Sequence, residues 1–255
     1  MRSGLTLARY VILEARRTGL PLLAVGALTT GVGIAGFLSQ LALTESAALQ
    51  VGVLAAFFRI CAVFLTGTFV VTSIVRESND KGIELLLSLP ISRSTYFLGK
   101  LAGYAATGAM LAAMFSLVML LWCTPHAVAI WFASLVLEVF LVATVSLFFV
   151  VTLGQVVPAL TAVAGTYFLG RVVAAIQAIS VSPLTSESDG LHRLAGWGID
   201  AVALLLPPLD KATQTVWLLY GPPSAAEFFN VAGFLLLYGA LVTAAGLFDF
   251  HRRNL

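Results

Sequence analysis

Charge is what this 255-residue chain has least of: 10% of its residues are Asp, Glu, Lys or Arg and 60% are hydrophobic, with a mean hydropathy of +1.00. Too few polar side chains exist to cover a water-facing surface, so a bilayer must serve as much of the solvent. The formal net charge is +2, and the basic residues fall in separate groups rather than the continuous stripe that would bind nucleic acid. The two cysteines, Cys61 in an apolar run and Cys123 at the edge of another, provide no disulfide framework. The three histidines, His126, His192 and His251, lie outside the centres of the apolar runs, which argues against haem ligation at depth. The chain lacks a Gly-x-x-x-x-Gly-Lys-Ser/Thr phosphate loop, a Gly-x-Ser-x-Gly elbow and paired acids in its apolar runs, so neither nucleotide hydrolysis nor other catalysis is expected of it. No internal repeat supports an inverted-repeat transporter.

Long apolar runs are what the chain has instead. A spanning helix needs about 20 residues to cross some 30 Å of hydrocarbon. Six runs qualify: 20–43, 51–75, 101–122, 127–157, 159–179 and 228–248. The first follows Arg16 and Arg17 as a signal peptide would, but it exceeds the roughly 7–15 residues of a signal core, so it reads as a retained span. Pro158 is expected to divide the fourth span from the fifth, because it lacks a backbone donor and biases its predecessor away from helix. The expected class is an all-α integral membrane protein forming a single domain.

Lys and Arg flanks tend to remain cytoplasmic. Arg2, Arg9, Arg16 and Arg17 precede the first span, Arg76, Lys81, Arg93 and Lys100 fill the second loop, and Arg252 and Arg253 follow the last span, whereas Arg193 and Lys211 stand alone opposite. Both termini and residues 76–100 are therefore predicted cytoplasmic, in a multi-pass protein of the cytoplasmic (inner) membrane, with residues 180–227 outside. Residues 182–190 have loop composition. The stretch 197–206 is too short to span and suits an interfacial or re-entrant helix, after which Asp210 could cap a helix over 211–220. Arg2, Arg9 and Arg16 recur every seven residues with Leu7, Val11 and Ala15 roughly opposite, which predicts an amphipathic helix on the cytoplasmic membrane surface. Their alternative role is to set topology alone.

Residues 76–100 contain an apolar knob among charges. Ile83, Leu86 and Leu87 share a helical face, Leu85 and Leu89 flank it, Pro90 stops the helix, and Ser92 can cap the next one. Five exposed aliphatic side chains require burial against lipid, the protein's own spans or another protein.

Arg76-Glu77, then Gly82, then Glu84-Leu85-Leu86-Leu87-Ser88-Leu89-Pro90-Ile91-Ser92-Arg93, then Gly99-Lys100, resembles the loop between the second and third helices of ABC-2 type permeases. The chain is similar to the permease subunits of the nitrous oxide reductase maturation type, and the similarity extends to the six-span layout, the basic first helix and the long outer segment. Leu206-Pro207-Pro208-Leu209-Asp210 resembles a Leu-Asn-Pro-x-Asp element of some relatives, with Pro207 in place of Asn. The resemblance implies a coupling helix formed by Gly82, Ile83, Glu84, Leu85, Leu86, Leu87 and Leu89, with Arg93 beside it, seated on a separate ABC ATPase that binds ATP and Mg. It further implies two ATPase copies, a second permease subunit forming a homodimer, export as the direction, and room for a periplasmic accessory protein at the outer segment. No cofactor or resident metal is expected in this chain.

Arg59, Glu138 and Arg171 lie within spans, where ionisable groups are costly and face partners or water. Counting along the helices places them about 12, 16 and 12 Å from the outer ends, so all three could meet. They either line a transport path or form a buried pair that fixes packing, with Arg171 snorkelling outward. A stand-alone transporter or channel using this trio is the alternative reading, and it would leave the leucine knob without a partner. Met110 and Met114, like Met119 and Cys123, are four apart; Cu(I) ligation and ordinary gap filling both fit that spacing. Gly99 and Gly103 predict a close helix contact.

Overall fold

The computed structural model describes residues 2–41, 46–80, 82, 91–180 and 190–252. Helices α1 (Arg2–Arg17), α2 (Leu20–Leu41), α3 (Ser46–Asn79), α4 (Arg93–Met119), α5 (Pro125–Leu153) and α6 (Val156–Ser180) come first. They are followed by α7 (Gly190–Leu205), a 3-10 turn (Leu209–Lys211), α8 (Val216–Leu219) and α9 (Ala225–Arg252). No strand occurs among the described residues. Among the described residues six helices, α2 to α6 and α9, are long and apolar enough to cross a membrane. The protein is therefore an all-α, multi-pass membrane protein.

Burial separates the roles of the spans. In α5, 67% of the most apolar stretch is buried inside the protein, against 17% in α2 and α9, so α5 is the central post. Large apolar side chains on the peripheral spans, such as Leu22, Phe37, Leu241 and Phe248, face outward, as lipid contact requires.

Local chemistry sets the boundaries. Ser92 caps α4 by accepting from the Thr95 amide at 3.2 Å, and Pro125 opens α5, where its missing donor costs nothing. The break between the fourth and fifth spans corrects the sequence expectation. It falls at Gly154, whose φ of 71 terminates α5 with its amide bonded to Val150 O. Pro158 lies inside the first turn of α6, where the first four amides have no intrahelical acceptor and a proline is tolerated. A second correction concerns residues 211–220. They form no continuous helix: after the 3-10 turn the chain is irregular until the four residues of α8.

The amphipathic first helix packs along a span. Leu7, Val11 and Ala15 are buried and Arg9, Arg16 and Arg17 exposed, but the buried stripe follows α4. Gly4 and Leu7 meet Gly99, Ala8 and Val11 meet Gly103, and Ile12 and Ala15 share a cavity wall with Thr107 and Met110. Contacts advance together on both helices, so α1 runs beside α4 instead of lying flat across the ends of the spans. A Cβ on Gly103 would come 2.7 Å from Val11 Cβ and 3.0 Å from Ala8 Cα, so only glycine admits this approach. Gly4 also lies by Thr95, and Arg93 donates to His251 O at 3.1 Å. The starts of α1 and α4 and the end of α9 thus share one end of the bundle, termed the basic end below because it also carries Arg76 and Lys100.

Gly103→Leu should therefore force α1 off α4 and lower stability by at least the 1–3 kcal/mol typical of overpacking, approximately, in thermal unfolding in detergent. Gly165→Ala, where an added Cβ meets nothing within 4 Å, should instead leave stability unchanged or raise it by up to about 1 kcal/mol.

Candidate functional site

Two buried polar clusters lie at different levels of the bundle. The one away from the basic end is built from Arg59 on α3, Glu138 on α5 and Arg171 on α6, which share one level. Arg171 Nη2 stands 3.0 Å from Glu138 Oε1, and Tyr167 donates to the same oxygen at 2.8 Å. Glu138 is fully buried, so this pair of donors offsets the cost of its charge. Arg59 is not an ion-pair partner of the other two; it reaches the same place through a loop.

That loop is the irregular segment after α7. Leu209, Ala212 and Thr213 are 1%, 0% and 0% exposed, so their backbone polar groups cannot rely on water. The intramembrane arginines meet them. Arg171 Nη1 donates to the carbonyls of Leu209 and, at 2.8 Å, Ala212, and Arg59 Nη1 donates to that of Thr213 at 3.0 Å. Ser134 Oγ accepts from the Thr213 amide at 2.8 Å and lies 3.2 Å from its hydroxyl. Thr213 is held at φ 46, a left-handed conformation costing a non-glycine residue on the order of 1–3 kcal/mol. Gly170 makes room, since a Cβ there would stand 3.0 Å from Pro207 O. Arg171 is thus tied to the loop instead of snorkelling outward.

The three ionisable residues were legible from their position in spans; their partners were less so. Tyr167 precedes Arg171 by four residues and Ser134 precedes Glu138 by four, so each shares a helix face with its neighbour, a signal the sequence does carry. Gly170 and Thr213 have no such signal, because their roles depend on where a distant loop enters.

The second cluster lies at the basic end. Lys100, counted in the sequence among the basic residues beside the spans, is 0% exposed, and its Nζ stands 2.6 Å from Glu77 Oε2. The rings of Tyr10 and Tyr96 lie 5.1 and 5.9 Å from that ammonium, within cation–π range. Beside it Tyr104 donates to Ser73 Oγ at 2.9 Å, and Ser73 donates to Glu14 at 2.9 Å. Helices α1, α3 and α4 are joined by these contacts, and Arg93 ties α4 to the carbonyl end of α9, where the helix dipole favours a cation. Gly82 is helical and a Cβ on it would stand 3.1 Å from Glu77 Cγ. Of the expected knob, Ile83, Glu84, Leu85, Leu86, Leu87 and Leu89 lie outside the described residues, as do residues 181–189 of the segment expected outside.

Met110 and Met114 line a cavity beside α1, Met119 is buried in the core, and burial pushes the Cys123 thiol pKa up, away from the thiolate that binds metal. Among the described residues no group of three or more His, Cys, Asp or Glu is placed to hold a metal ion. Neither the protein-family models nor the curated protein sequences contain a match to this chain.

Arg171→Leu should cost about 3–5 kcal/mol, the usual penalty for stranding one member of a buried pair. Arg171→Lys should fall between wild type and Leu, because a single ammonium cannot serve a carboxylate and two carbonyls as a fork does. Adding Glu138→Leu to Arg171→Leu should cost less than Glu138→Leu alone, since the stranded charge has gone. Thermal or denaturant unfolding in detergent reads all three.

Proposed function

We propose that this chain is the membrane-spanning permease subunit of an ABC transporter of the ABC-2 type, working as a homodimer with two copies of a separate ATPase and exporting its cargo. The reading is carried by the clamp around residues 76–100. The segment leaves α3 beside Glu77 and enters α4 before Lys100, and those residues are a contact ion pair in a buried setting. A displacement applied to the apolar knob between them would be carried into α3 and α4 at once, into α1 through Tyr10 and the Glu14–Ser73–Tyr104 chain, and into α9 through Arg93. ATP binding and hydrolysis in the partner would then switch the bundle between two packings, the kind of discrete change that packed helices allow.

The opposite cluster fits the role of a closed outer end. Arg59, Glu138 and Arg171 are engaged with one another or with the 209–213 loop, which favours a seal over a standing ion path and so disfavours the stand-alone channel. In an exporting cycle this loop would leave when the outer side opens.

The test is recovery of the tagged protein from native membranes with its partners. An ATPase should accompany wild type, and Leu86→Asp with Leu87→Asp should release it while the permease still inserts at wild-type level. If no ATPase accompanies wild type and transport by reconstituted protein persists without ATP, the chain acts alone.

A further inference from the structure

A cavity of about 190 Å³ opens where α1 turns into α2. Ile12 and Ala15 of α1, Leu20 and Pro21 of α2, and Met110 and Met114 of α4 form its walls, and Arg16 lines it as the one charged residue. The junction is made by Thr18 and Gly19, whose φ of 78 interrupts the helix between α1 and α2. Water is a poor occupant. The volume equals about six liquid water volumes at ~30 Å³ each, but a buried water needs 2–4 polar partners. Thr107, the only hydroxyl among the described residues of the wall, already donates to Gly103 O at 2.9 Å. Arg16 and Arg17 occupy the last turn of α1, and neither makes a hydrogen bond or ion pair with the described residues. The Arg16 guanidinium, unneutralised by any described residue, therefore stands at an apolar hole, with Arg17 next to it in sequence, where the chain passes from an amphipathic helix into a span. Hydrocarbon below and anionic charge above are the complement of that arrangement, and an anionic phospholipid supplies both in one molecule.

We infer that the α1–α2 elbow is a binding site for an anionic phospholipid, with one acyl chain between α1, α2 and α4 and the phosphate on Arg16. The site is independent of the coupling reading, since it lies on the far side of α1 from the Glu14–Ser73 contact. A lipid wedged there would brace α1 against α4, the same contact that Gly103 makes close.

Thermal unfolding of the purified full chain in neutral detergent, titrated with dioleoyl phosphatidylglycerol, dioleoyl phosphatidylcholine or inorganic phosphate, tests this. Phosphatidylglycerol should raise Tm saturably, phosphatidylcholine weakly and phosphate not at all. Arg16→Gln should raise the half-saturating phosphatidylglycerol concentration about tenfold, the factor for one lost charge-assisted contact, while Arg9→Gln, which removes the same charge from an exposed site on α1, leaves it unchanged. Met110→Trp, which fills the cavity, should abolish the saturable shift with Tm at or above the lipid-free wild type. An equal response to phosphatidylcholine would make the slot purely apolar, a response to phosphate would make it a free-anion site, and loss of dimer in Met110→Trp would assign it to a second copy of the chain. Any of these, or an Arg16→Gln response like wild type, overturns the proposal.

Discussion

Hydrocarbon supplies no hydrogen-bond partners, so any donor or acceptor that enters a bilayer must find its partner within the protein. Helices satisfy their own backbone, and six of them account for nearly all the apolar sequence. The loop over 207–213 is the exception, because it enters the bundle as irregular backbone. Its carbonyls are met by Arg59 and Arg171, its Thr213 amide by Ser134, and the charge of Arg171 by Glu138. Each polar group admitted to the interior thus requires another, and the chain of requirements ends at a carboxylate on the most buried span.

Lys100 follows the same rule at the basic end. Its ammonium is fully enclosed, so Glu77 must remain beside it, and removing either would strand the other in a low-dielectric site. Buried pairs of this kind contribute little net stability compared with apolar packing, but they tolerate few alternative arrangements. Both clusters therefore act more on which helices stay together than on how tightly the bundle holds. One fixes the 207–213 loop to α3, α5 and α6; the other fixes α1, α3 and α4 around the segment proposed to receive the ATPase.

Much of the architecture was legible in the sequence. Long apolar runs locate the spans because no other structure can place such runs in lipid, and Ser92 caps α4 where its hydroxyl chemistry suggests. The stripe of Leu7, Val11 and Ala15 is buried as its four-residue spacing on one helical face requires. Pro158 misled because proline is compatible with the first turn of a helix, so a neighbouring glycine, Gly154, made the break. Lys100 misled because a lysine near the end of a span is ordinarily a flanking charge, and its burial depends on Glu77, Tyr10 and Tyr96 arriving from three separate parts of the chain. The helix expected over 211–220 gave way because its carbonyls are engaged by arginines from other helices, which outweigh local propensity.

What the amino-acid sequence determined alone was the solvent, the number of spans, the amphipathic face of α1 and which ionisable residues lie at depth. Each of these is set by composition or by a short-range period, and none depends on the path of the chain elsewhere. Tertiary structure decided what those residues meet. That Arg171 serves Glu138 and a loop some forty residues away, that Gly103 receives α1, and that Arg16 stands over an apolar cavity follow only once helices distant in sequence are brought side by side.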